Sequence, residues 1–147
     1  MRNRATGFTI VELLVVLAII TVLASIAMTL GFYAFDAARL GRSVADLRSI
    51  SASIQQYKMD YATVPDGGLQ PVSEIAPSLK QVSRTVPTED AWGNELYYES
   101  LVVDDATTYR LFCYGKGGAP DGVITGEWID FYSDTVVEGG VFIQSKY

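Results

Sequence analysis

FTIVELLVVLAIITVLASIAMTL, residues 8–30, carries a single charged side chain, Glu12, and follows the short basic leader MRNRATG. About twenty apolar residues at about 1.5 Å rise each match the hydrocarbon thickness of a bilayer, so the run is long enough to cross one. A carboxylate at the middle of such a helix costs roughly 2.5–3.5 kcal/mol on insertion scales, and less near an end. An acid kept there calls for a partner.

Apolar periodicity continues past Leu30 but changes character. Leu40, Val44, Leu47, Ile50, Ile54, Tyr57 and Tyr61 recur at helical steps of three and four, which makes one face of an amphipathic helix. Arg39, Arg42, Asp46, Arg48, Gln55, Gln56 and Lys58 fall on other faces, and no proline occurs before Pro65. The spacing predicts one helix from Phe8 to about Tyr61, apolar all round over 8–30 and amphipathic over 31–61. Gly31 and Gly41 each cost about 1 kcal/mol relative to Ala in a helix interior. Any break in the helix would rest on one of them.

Residues 63–84 read as an irregular loop punctuated by Pro65, Gly67, Gly68, Pro71 and Pro77, with a short helical turn over 78–82. After Pro87 the pattern turns to β. ELYYESLVV, TYRLFCYG and EWIDFYSD are rich in aromatic and β-branched residues, DDATT (104–108) fits a turn between the first two, and GGVFIQ fits an edge strand. Residues 115–126 read as a glycine-rich loop, Trp92 as a core anchor, and Gly93 with Asn94 as a turn tolerant of positive φ. The expected fold class is α+β: a long N-terminal helix packed on a small antiparallel sheet, with Leu47, Ile50, Ile54 and Tyr57 over one sheet face. Residues 62–147 form the loop and sheet of a head domain.

The chain has 147 residues, enough for one domain, and a formal net charge of −6. Loss of the leader removes Arg2 and Arg4, leaving nine basic residues against seventeen acidic ones, or −8. From Asp60 onward there are fourteen acids and five basic residues, which disfavours nucleic-acid binding, because phosphate contacts need clustered Lys and Arg. Cys113 is the only cysteine, so no internal disulfide forms, and its alternating surroundings read as a small buried hydrophobe. The chain contains no histidine, which removes the commonest general base and metal ligand and every Ser-His-Asp or Cys-His arrangement. GKGGAPDG lacks the spacing and the Lys-Ser/Thr ending of a phosphate loop. The expectation is a protein that is not an enzyme.

GFTIVELLVVLAII resembles the N-terminus of type IV prepilins and pseudopilins. The resemblance implies cleavage by a prepilin peptidase between Gly7 and Phe8, removal of residues 1–7, N-methylation of Phe8, and an assembly role for Glu12. The family often has Lys or Arg where this chain has Thr6, though Arg2 and Arg4 keep the leader basic. VPTEDAWGNELYY, through Pro87, Asp90, Trp92, Gly93 and Asn94, together with YRLFCYGKGG, is similar to the major pseudopilins of type II secretion. The loop after that strand binds calcium in those proteins. Here Cys113 and Gly117 stand where the resemblance calls for a serine and an aspartate, Lys116 lies beside them, and Asp121, Glu127, Asp130 and Asp134 are the remaining oxygen donors. Solvated loop acids are the favoured reading, calcium the sharper one, and no other cofactor is expected.

The resemblance further implies self-association into a helical filament, with the membrane, an inner-membrane assembly platform and minor pilins or pseudopilins as partners. Location would be the bacterial inner membrane as a single-pass precursor, then a periplasmic pseudopilus or a cell-surface pilus. The missing disulfide, the short head and the WGN segment favour a major-pseudopilin-like subunit of a secretion pseudopilus, with a major or minor pilin of a type IV pilus, serving adhesion, motility or DNA uptake, as the alternative. Three readings compete from outside the family. One is a cleaved secretory signal with Ser25, Ile26 and Ala27 as its site and Met28 as the new terminus. Against it, the apolar run exceeds the usual 7–15 residues and Glu12 interrupts it. The others are an uncleaved anchor for an unrelated binding domain, and an anchored or secreted enzyme.

Overall fold

The computed structural model describes residues 7–103, 106–120 and 130–144. The chain divides into two compact units, Met1–Asp36 and Ala37–Tyr147. Helix α1, Ile10–Tyr61, begins in the first and ends in the second. It passes Gly31 and Gly41 without a break, and a Cβ at either would meet nothing within 4 Å.

In the first unit α1 is long and apolar enough to cross a membrane. The large apolar side chains exposed along residues 8–35 range from 44% at Val16 to 78% at Ile10.

In the second unit the helix has one buried face. Leu40, Val44, Leu47, Ile50 and Ile54 are at most 3% exposed, the positions that the periodicity predicts. Leu47, Ile50 and Ile54 pack with Tyr98, Tyr109, Leu111, Cys113 and Val137 of the sheet, and Tyr57 packs at the margin of this core. The sheet is an antiparallel meander of β1 (Gln70–Pro71), β2 (Tyr97–Val103), β3 (Ala106–Cys113), β4 (Thr135–Glu138) and β5 (Val141–Gln144), in that spatial order. Two buried tyrosines keep their hydroxyls satisfied, as burial of a polar group requires. Tyr98 donates to Pro65 O at 2.5 Å, and Tyr109 Oη lies 2.8 Å from Ser51 Oγ. Burial pushes both phenols above their ordinary range. On the other face of the sheet Phe112, Tyr114 and Val136 form a second cluster with Tyr97.

Four local expectations need correction. The segment 63–84 is more ordered than its prolines suggest: it contains β1 and helix α2, Val72–Leu79, which begins six residues before the expected turn. Val72, Ile75, Ala76 and Leu79 are its buried face, three of them joining the main core, and that burial holds a helix containing Pro77. The strand after β3 is β4, TVVE; of the expected strand EWIDFYSD, residues 127–129 lie outside the described residues and 130–134 are not strand. Residues 130–133 are turn, because Asp130 Oδ1 accepts the Tyr132 N–H at 2.9 Å and Asp130 O accepts the Ser133 N–H at 3.2 Å. An Asx turn of this kind competes with a strand ladder. Thr107 and Thr108 belong to β3 rather than to a turn, with Val103 opposite Ala106. Trp92 is half-buried and outside both core clusters; Leu96, fully buried, is the anchor there. GGVFIQ does supply the edge strand, entered through Gly139 and Gly140 at φ +57° and +96°, the positive pair that a two-residue type I′ hairpin demands.

Helix α1 ends at Ala62, which holds φ +58°. A left-handed conformation costs a residue with a Cβ roughly 1–2 kcal/mol, and glycine is the usual occupant at a helix C-terminus. Ala62→Gly is therefore expected to stabilise the protein by about 1 kcal/mol, seen as a higher urea midpoint at unchanged slope.

Candidate functional site at the start of the helix

Gly7, Phe8 and Thr9 precede the first helical residue, Ile10, and are not helical. The Gly7–Phe8 peptide bond thus lies in irregular chain one step outside the helix. A protease needs such a segment, because a helical bond has its carbonyl engaged and its backbone wrapped. A Cβ at Gly7 would meet nothing within 4 Å, and Phe8 is 77% exposed.

Thr9, Ile10, Val11 and Glu12 make a reciprocal capping box. The Thr9 N–H and hydroxyl both donate to Glu12 Oε2 at 2.9 Å, and the Glu12 N–H donates back to Thr9 Oγ1 at 3.2 Å. The pattern is Ser/Thr-x-x-Glu immediately before an apolar run, visible in the sequence and missed there because Glu12 reads first as an intruder in a membrane span. The carboxylate stands in the first turn, where the helix dipole favours negative charge. It also has about four lone-pair sites, so the two bonds from Thr9 leave capacity for a cation.

A second cluster lies in the other unit and ties the WGN turn to the glycine loop. Asp90, 7% exposed, accepts the Trp92 and Asn94 N–H groups on Oδ1 at 2.8 Å each. Its Oδ2 lies 3.6 Å from Cys113 Sγ. Asn94 Nδ2 in turn donates to Gly115 O at 2.8 Å. Gly93 takes φ +87°, as expected of the turn. Gly118 sits at φ +67°, where a Cβ would come within 2.6 Å of Asn94 Oδ1. Ser43 Oγ on α1 accepts the Ala91 N–H at 3.1 Å, so the turn is pinned to the helix as well. Cys113 is fully buried, and desolvation first, with the Asp90 charge adding to it, pushes its thiol up to about 12. It is an inert packing group, as its strand pattern implies.

The N-terminal residues 2–28 match the profile of the prokaryotic N-terminal methylation motif. Residues 32–130 match that of the type II secretion system (T2SS), protein G. The chain belongs to the type II secretion system protein G family. Among its relatives, the type II secretion system core protein G of Klebsiella pneumoniae is 29% identical over 129 residues, covering 81% of this chain and 90% of the relative. The Vibrio cholerae protein of the same name is 28% identical, over 86% of this chain and 93% of the relative. The Pseudomonas aeruginosa one is 25% identical, over 82% of each. No solved structure gives a significant match.

Of the calcium candidates in this member of the protein G family, only Asp130 and Asp134 fall among the described residues. Asp121 and Glu127 lie outside the described residues. Asp130 spends Oδ1 on its Asx turn with Tyr132, and Lys116 Nζ stands 5.7 Å from the Tyr132 ring centroid, placing a cation in the loop. Lys116 N–H also donates to Phe131 O at 2.8 Å. No group of three or more His, Cys, Asp or Glu comes together among the described residues. Among the described residues the start of the loop is held by Asn94, Lys116 and the left-handed Gly115 and Gly118.

Two measurements follow. Asp90→Ala leaves the Trp92 and Asn94 N–H groups without their acceptor, and should destabilise the protein by about 1–3 kcal/mol in urea titration. Thermal melts with added calcium and with chelator should coincide, whereas a rise with calcium would reveal a site that the described acids do not build.

Proposed function

We propose that this chain is a structural subunit of a pilin-like filament, the major pseudopilin of a type II secretion pseudopilus, processed by a prepilin peptidase. Membership of the protein G family supports the assignment to secretion. The single observation that carries the mechanism is the arrangement at the helix start. The non-helical Gly7–Phe8 bond lies just before a helix whose large apolar side chains over residues 8–35 are exposed, and one carboxylate is held at that helix's first turn.

As precursor, residues 8–30 sit in the inner membrane with the leader, residues 1–7, on the cytoplasmic side. Cleavage after Gly7 makes Phe8 the N-terminus, and its α-amine carries a positive charge, which N-methylation preserves. In an apolar filament interior that amine and the Glu12 carboxylate are each costly alone. Paired between neighbouring subunits they offset much of that cost and fix the axial register, because misregistered neighbours would leave two unpaired charges. Residues 31–61 carry the amphipathic part of the helix and residues 62–147 the rest of the head domain. Partners are further copies of this chain, the peptidase, the inner-membrane assembly platform and minor pseudopilins. The absence of histidine from the sequence supports a structural role over an enzymatic one.

Glu12→Gln keeps the capping geometry but removes the charge. It should leave membrane insertion and cleavage intact and reduce filament yield to background, read by sheared-fibre recovery beside N-terminal sequencing of the membrane pool. Normal yield from this variant would overturn the pairing. In cells lacking the gene, loss of secretion without loss of surface pili would support the pseudopilus, and the reverse would make the protein a pilus subunit.

A further inference from the structure

Three aromatic side chains stand directly beyond the apolar run. Phe32, Tyr33 and Phe35 are 66%, 58% and 69% exposed on a continuous stretch of α1. At about 100° per residue their rings cover an arc of about 160°, with Ala34 opposite its centre and Gly31 just outside it, about 40° from Phe35. No assembly role is needed to explain their position along the helix. From Glu12 to Tyr33 the helix rises about 32 Å, close to the roughly 30 Å hydrocarbon thickness of a bilayer. Aromatic rings are favoured at the boundary between headgroups and acyl chains, where an apolar body meets water at one edge. Asp36 and Arg39 follow at once and mark the polar side of that boundary.

We propose that Phe32, Tyr33 and Phe35 form a one-sided interfacial anchor that binds the headgroup boundary of the bilayer and sets the depth of the helix, placing Glu12 at the opposite boundary. This rests on the membrane-spanning reading and adds a depth to it. The acid then waits at a wet interface, where its charge costs little before assembly. The side bearing Gly31 and Ala34 is left for close approach of another helix.

Depth is read by single-cysteine substitution in the full chain inserted in phosphatidylethanolamine–phosphatidylglycerol vesicles, with a membrane-impermeant maleimide as probe. Native Cys113 gives a silent background, being fully buried. Cysteines at Ala24 and Ala27 should be protected, those at Ala37 and Ala38 reactive, and the step should fall at Ala34. With Phe32, Tyr33 and Phe35 all changed to Leu, apolarity persists but the interfacial preference is lost, and the step should move or smear by about one helical turn, three to four residues. Changing all three to Trp should restore it. A step that stays at Ala34 in the Leu variant overturns the anchor while leaving the span intact. Uniform reactivity from Ala24 to Ala38 in the unaltered chain overturns the membrane span itself.

Discussion

The structure depends on an apolar helix surface that stays exposed among the described residues. Along residues 8–35 even the least exposed of the large side chains, Val16, keeps 44% of its surface open. At about 25 cal/mol per Å² of apolar area, a surface of this extent is not left in water. In the proposed mechanism lipid covers it first and other copies of the same helix cover it later. Either environment is poor in polar partners, and that is what gives one carboxylate its influence. In water Glu12 would be one acid among seventeen. On this helix, under the proposed pairing, it is the residue whose satisfaction decides where neighbours fit.

The capping box changes how that acid is understood. Thr9 gives Glu12 two hydrogen bonds before any partner arrives. The carboxylate is thus held in a defined place at the first turn, rather than waving on an unstructured end. A pre-placed charge loses less conformational freedom when an amine reaches it. In the proposed mechanism cleavage and assembly are connected by the same few residues, since a cut that makes Phe8 terminal creates a cation one residue before the cap.

The second unit needs no chemistry of its own for this role. Its helix face, α2 and the sheet bury one aromatic-rich core. Asp90 and Asn94 brace the turn and loop at one end of the strands, and the glycine loop folds back through Asn94 and Lys116. Much of this was legible in the sequence. The steps of three and four from Leu40 to Ile54 identify the buried face, and strong local signals at β2, β3 and the Gly139, Gly140 hairpin identify strands. What escaped did so for physical reasons. Burial of Val72, Ile75 and Leu79 overrides the proline punctuation around α2. Val136 and Val137 are both fully buried, so β4 has no alternation to detect, while the aromatic richness before it belongs to a turn held by Asp130. At the helix start, Gly7, Phe8 and Glu12 were singled out at once, but the role of Thr9 was hidden by reading the run only for its hydrophobicity.

The pairing of the Phe8 amine with Glu12 of a neighbouring subunit is the claim on which the rest turns. Solid-state NMR on filaments mixed from two populations addresses it directly, one labelled with 15N at the Phe8 amine and the other with 13C at the Glu12 carboxyl, so that only contacts between subunits give a signal. Dephasing that places the two groups within about 4 Å, the range of an ion pair, is the expected result. Well-ordered filaments with no dephasing between the two labels would contradict it.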